Sequence, residues 1–232
     1  MDDTTRGGDG GSPRFAAALR RLKREGARLL VTGEVNAAVH ARQTRLLLGS
    51  PREERVRVLA LVGGSSPSRF LPDGVAPTDD DVAVVTHGDT RSTAADVSST
   101  DADVSPSSAG EFPTDRLDGF SAAVQSAVDC QRTVHGPLSP AELRVGVVGA
   151  GGLLDGTGVD RVTRTLDALG ECVVDRRGMF HCHVSGPVDA PETAALGAAF
   201  DARIDLRQRD GLPPEQRWTL PALDESSEWM LL

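Results

Sequence analysis

The stretch Arg28-Leu29-Leu30-Val31-Thr32-Gly33-Glu34-Val35-Asn36-Ala37-Ala38-Val39-His40 decides how the chain is read. Its first half is a short apolar run closed by a glycine, the pattern of a strand buried on both faces. Helical spacing takes over from about Val35 and holds to Leu48, where Gly49-Ser50-Pro51 ends it. A buried strand that passes straight into a helix is the opening unit of a parallel sheet, because each parallel crossover lays a helix on one face.

The same alternation continues on either side. Upstream, Ser12 and Pro13 announce a helix with Phe15, Ala18, Leu19 and Leu22 on one stripe and Gly26 as its stop. Downstream, Arg55–Val62 and Asp81–Thr86 are strands, Leu117, Phe120, Val124 and Val128 mark a helix ending near Arg132, and Leu143–Val148 is another strand. Val159, Val162, Leu166, Leu169 and Val173 give the clearest amphipathic helix, followed by the strand Met179–Val184. Asp189-Ala190-Pro191-Glu192 has the form of a capping box opening a helix to Phe200. Strands at 202–207 and 216–220 flank the turn Asp210-Gly211-Leu212-Pro213-Pro214. The expected architecture is α/β, a mostly parallel sheet with helices on both faces.

Residues 88–113 interrupt this pattern with Ser, Thr, Asp, Ala and Pro and almost no large apolar side chains. Such a segment buries too little surface to offset its ordering entropy, so a disordered insertion is expected there. The chain divides into an N-terminal tail (1–11), a first part of the domain (12–87), the insertion, a second part (114–220) and a C-terminal tail (221–232). At 232 residues, one domain with an insertion is the economical reading.

The formal net charge is −9, which argues against a general nucleic-acid binder, since phosphate neutralisation needs surplus Lys and Arg. No apolar run is long enough for a membrane helix, and Met1–Gly11 lacks the basic and then apolar pattern of a secretory signal. A cytoplasmic protein is expected. Lys23 is the sole lysine, so the positive charge is nearly all arginine, while the acids are mostly aspartate. That balance suits a salt-loving archaeon, where an acidic surface stays hydrated and screening suppresses its self-repulsion. Three cysteines, Cys130, Cys172 and Cys182, are expected as buried free thiols.

The segments 15–35, 143–169, 178–184 and 200–220 together resemble a family of uncharacterised haloarchaeal proteins related to the RecA and KaiC group of ATPases. The resemblance implies a RecA-like, P-loop NTPase-type fold. In such an ATPase the turn after the first strand carries glycines that expose backbone N–H groups, a lysine for the outer phosphates and a Ser/Thr for magnesium. Thr32-Gly33-Glu34-Val35-Asn36 keeps only Gly33, and Glu34 puts a repulsive carboxylate beside the place of the phosphates. The strand 143–148 ends in Val148-Gly149-Ala150, with no acid before Asp155. Both the Walker A lysine and the Walker B aspartate are missing, so no catalytic residue and no cofactor is expected. The reading is an inactive domain serving as a regulatory or protein-interaction module, with a protein partner or self-association.

The alternative is a nucleotide- or dinucleotide-binding enzyme or sensor. Val147-Val148-Gly149-Ala150-Gly151-Gly152 follows a strand and precedes a helix, and the next strand is expected to end in Val174-Asp175, where the acid could reach a ribose. Leu154 stands at the third glycine position, and the helix begins too late to aim at a pyrophosphate; the competing reading is a turn that permits close packing. His181 and His183 share one face of a strand and Cys182 the other, so the three cannot meet on one ion, and a metal shared by the two histidines would need a third ligand from another strand. No Gly-x-Ser-x-Gly elbow is present, and Cys130 and Cys172 lie near helix C-termini, where a thiolate is disfavoured. Asp224–Leu232, acids followed by an apolar cluster, is either a docking peptide or a segment folded back on its own domain.

Overall fold

The computed structural model describes residues 12–87 and 112–232. Ser12 accepts from the Phe15 amide and opens helix α1 (Pro13–Glu25), which leads into β1 (Ala27–Gly33). Helix α2 (Ala37–Leu48) carries the chain to β2 (Val56–Val62), and β3 (Val82–His87) follows. Then come α3 (Phe112–His135), β4 (Leu143–Val148), the single turn α4 (Gly151–Leu154), α5 (Val159–Val174) and β5 (Met179–Ser185). The chain closes with α6 (Pro191–Gly197), β6 (Ala202–Arg207), β7 (Glu215–Leu220), β8 (Glu225–Ser226) and β9 (Met230–Leu231).

Among the described residues nine strands make one sheet in the order β3-β2-β4-β5-β1-β6-β7-β8, with β9 also on β7. The run from β3 to β6 is parallel, and β7, β8 and β9 continue it antiparallel. Both faces are covered, which is why β1, β2 and β4 are mostly apolar, while β5 alternates, with Phe180, Cys182 and Val184 on one face and His181, His183 and Ser185 on the other. On one face Leu30, Val58, Val145, Phe180 and Cys182 pack against Phe120 and Val124 of α3, Leu166 and Leu169 of α5 and Leu196 of α6. The opposite face holds two separate apolar clusters. Phe15 of α1 and Val39 and Leu47 of α2 meet Leu29, Val31 and Ile204, while Ala41 and Leu48 meet Leu59, Leu61 and Phe70.

Several expectations are corrected. The 88–113 insertion falls almost wholly outside the described residues, but Phe112 and Pro113 already belong to α3, which also runs on to His135. The capping box at Asp189 does not form. Pro191 takes the first helical position, so Ala190 becomes the cap and makes no side-chain bond, and the helix ends at Gly197. Val174 and Asp175 end α5 instead of ending a strand. Cys130 is exposed and Cys172 half-buried; only Cys182 is a core thiol, and desolvation raises its pKa.

The C-terminal tail is the edge of the sheet. Ser227 and Trp218 exchange backbone and side-chain bonds, the Leu232 amide donates to the Pro214 carbonyl, and Arg207 and Arg217 lie 3.9 and 4.8 Å from the centre of the Trp229 ring. These contacts favour the fold-back reading over a free docking peptide. Trp229→Ala should therefore destabilise the domain by about 1–2 kcal/mol through lost cation–π contact and packing. Deleting Trp229–Leu232 should cost more. An unchanged melting temperature in both variants would show that the tail is not held.

Candidate functional site

Strands β1 and β5 are neighbours whose onward connections leave in opposite directions, β1 toward β2 and β5 past β1 to β6. The crevice outside the carboxyl ends of such a pair is where open α/β sheets seat ligands. Here its floor is made by Gly33-Glu34-Val35-Asn36 and by Ser185-Gly186, joined by a backbone bridge between Gly33 and Gly186.

Only Glu34, Val35 and Asn36 separate β1 from α2, too few for a loop that wraps phosphates. Gly33 has φ 138°, and a Cβ there would overlap the Leu206 carbonyl on β6. Its missing side chain is used for close strand packing. The Asn36 carboxamide oxygen accepts from the amides of Ala38 and Val39 at 2.9 and 3.1 Å, and its nitrogen donates to Gln208. Amides that could bind an anion at this helix start are thus already bonded. Glu34 is exposed at the mouth.

Behind this turn lies a buried polar seam. His183 on β5 places Nδ1 3.4 Å from Nδ1 of His40 on α2, and its Nε2 is 3.3 Å from the Thr44 hydroxyl, which donates to the His40 carbonyl. Ser185 Oγ is 3.5 Å from His40 Nε2. His181 lies edge-on to His183 with ring centres 5.4 Å apart, and its Nε2 has no hydrogen-bond partner. The ring rests on Gly146 of β4, where a Cβ would come within 2.5 Å of that nitrogen.

Burial pushes all three imidazoles toward the neutral form. Desolvation lowers His181 to about 3, with Arg144 adding repulsion. His183 is lowered by desolvation and then by His181 and His40, and His40 by desolvation against an opposing bond to the Gly33 backbone. A neutral imidazole has one donor and one acceptor, enough to link Ser185, His40, His183 and Thr44 in a chain. The third histidine that could join His181 and His183 comes from helix α2. Even so, among the described residues no group of three His, Cys, Asp or Glu side chains is placed to hold a metal ion. His40 and Thr44 escape a reading of strand motifs; the available signal is their four-residue spacing, with Gln43, on the apolar side of α2.

The glycine turn is built for packing at one point. Gly149 has φ 78°, and a Cβ would come within 2.5 Å of the Val62 carbonyl of β2, while Gly152 approaches Val62 Cγ1. Gly151 is open, but it starts the single turn α4, and α5 begins only at Val159. Asp175 caps the far end of α5, just before β5 begins, so it lies at the opposite end of the sheet from Gly149, Gly151 and Gly152. The structure does not bring these four residues together.

A mostly parallel α/β sheet whose switch point is closed by a capped turn and backed by neutral histidines defines the class of protein. The chain belongs to the family of unknown function DUF7504, whose model matches residues 26–206 and so spans β1 to β6. No curated protein matches it. Among the described residues no helix is long and apolar enough to cross a membrane.

Two expectations follow from the seam. The unfolded chain takes up protons on these histidines below about pH 6.5 while the folded chain resists, so stability is complete above that pH and falls as pH drops toward 3. Chemical denaturation across pH should show the loss, and His181→Leu should flatten it by a few kcal/mol, of the order its shift implies; a variant as acid-sensitive as the wild type would refute the assignment. Gly146→Ala should cost about 1–3 kcal/mol by overpacking against His181. In the background of His181→Ala the cost should largely vanish, and a strictly additive double variant would contradict the contact.

Proposed function

We propose that the chain is a RecA/KaiC-like domain that has lost nucleotide hydrolysis and serves as a regulatory or protein-interaction module in the cytoplasm of a halophilic archaeon. The observation that carries this reading is the turn after β1. Its length is three residues, its glycine is packed against β6, its helix amides are bonded to Asn36, and its exposed side chain is the carboxylate of Glu34. A triphosphate at that place would meet repulsion and lack the amides and the lysine that hold it elsewhere. Support for the RecA-type ancestry comes from β1 at a switch point near the middle of a parallel sheet. The surplus of arginine over lysine and the net charge of −9 support a saline cytoplasm.

Binding at Gly149–Gly152 is the weaker reading, because Gly149 is committed to Val62 and Asp175 stands at the far end of the sheet. The test is a melting-shift series in concentrated potassium chloride with ATP, ADP, NAD and magnesium. Melting temperatures should stay within error of the ligand-free protein at millimolar nucleotide, since a ligand at 100 times its Kd adds about 2.7 kcal/mol and would be seen. A magnesium-dependent rise with ATP would overturn the proposal.

A further inference from the structure

Helix α1 is basic on an acidic molecule. It carries Arg14, Arg20, Arg21, Lys23 and Arg24 against the single acid Glu25, while the chain as a whole is at −9. Beside it runs a groove of about 460 Å³ between α1 and the segment that follows β7. Ala17, Ala18, Leu22, Leu220 and Leu223 supply an apolar floor, and Arg14, Arg21 and Arg24 stand along the rim. Arg14 and Arg24 have no ion-pair or hydrogen-bond partner among the described residues; Arg21 reaches Glu25 only at 3.7 Å. The one carboxylate in the lining, Asp201, is taken by Arg28 through its guanidinium at 3.1 Å and its amide at 2.8 Å.

We infer that this groove is a docking site for an acidic peptide segment of a partner protein, one that sets apolar side chains on the floor and carboxylates against Arg14, Arg21 and Arg24. The inference rests on the reading of the chain as an interaction module and names its surface. Charge complementarity selects the occupant. A lipid surface fits poorly, because Phe15 is buried in the core and, among the described residues, none of the exposed large apolar side chains lines the groove. Nucleic acid fits poorly as well: among the described residues the groove is lined by no aromatic ring on which a base could stack. A short acidic segment with a few apolar anchors meets attraction at the rim and burial at the floor.

The experiment pans a random-peptide display library on the full chain and measures the selected peptides, fluorescently labelled, by anisotropy. The expected winners combine Asp or Glu with two or more large apolar residues. Arg14→Glu/Arg21→Glu/Arg24→Glu should weaken them by roughly tenfold or more, and Ala17→Glu, at an exposed floor position, should do the same with no loss of melting temperature. No enrichment, non-acidic winners, or affinities unmoved by either variant overturn the inference. So does tighter binding of duplex DNA or phosphatidylserine vesicles than of the peptides, or self-association by light scattering that the triple variant abolishes, which would give the face to a second copy. Melting with ATP and magnesium on the same preparation separates the two levels: failed capture without a nucleotide shift removes only this surface, whereas a nucleotide shift removes the reading beneath it.

Discussion

Strand β1 is hydrogen-bonded on both edges, to β5 along its whole length and to β6 along its second half, and that double pairing fixes where the rest of the crevice lies. With its backbone groups spoken for and its residues buried apart from a half-buried Arg28, the strand cannot shift register without turning Leu29 and Val31 away from one core and Leu30 from the other. Its end is pinned as well, since the Leu206 carbonyl occupies the space a side chain on Gly33 would need. From that fixed point three residues bring the chain into α2. The turn after β1 is therefore short and starts from a clamped strand, and its lack of a lysine is a separate fact of the sequence.

The same clamp explains the divided core on the α2 side. His40 and Thr44 face inward from α2 toward His181 and His183, and this row separates the apolar cluster under α1 from the cluster around Phe70. Replacing the row with apolar residues would join the two clusters, so the polar groups carry a cost that their mutual bonds only partly offset. His181 shows the imbalance, with a buried nitrogen that bonds to nothing and a glycine beneath it making room. What the row supplies is position: a bonded chain from Ser185 to Thr44 couples the end of β5 to the inner face of α2 at one register.

How much of this was legible in the sequence differs by length scale. Parallel strands buried on both sides announce themselves as apolar runs, so β1, β2 and β4 were readable to within a residue or two, as were the alternating β5 and the amphipathic α5. That the turn after β1 offers a glutamate and no lysine was readable too, because it is a matter of residue identity at Gly33 and Glu34. What the sequence hid depends on contacts distant along the chain. Nothing local says that Asn36 will spend the α2 amides or that His40 will meet His183, 143 positions away. The tail's strands were hidden for a similar reason, although its folding back was one of the two readings offered: they have two residues each, below any periodic signal, and they pair with the edge that β7 offers. Asp175 was misplaced because a helix end and a strand end look alike in a run such as Val173-Val174-Asp175.

Charge placement on α1 follows a different logic from the rest of the fold. Lys23 and Arg24 in its last turn complement the helix dipole, so they need no further reason. Arg14 has no such reason: it sits in the first turn, where a cation opposes the dipole and none of the turn's own residues is acidic. The helix start is instead held by the Ser12 hydroxyl, which caps the Phe15 amide and donates to Glu225 of β8, tying α1 to the antiparallel edge. That tie sets the helix beside the segment between β7 and β8 and creates the groove between them. Among the described residues the one carboxylate lining that groove is already paired with Arg28, so the cations of α1 beside it stay open to the acidic segment proposed for this surface.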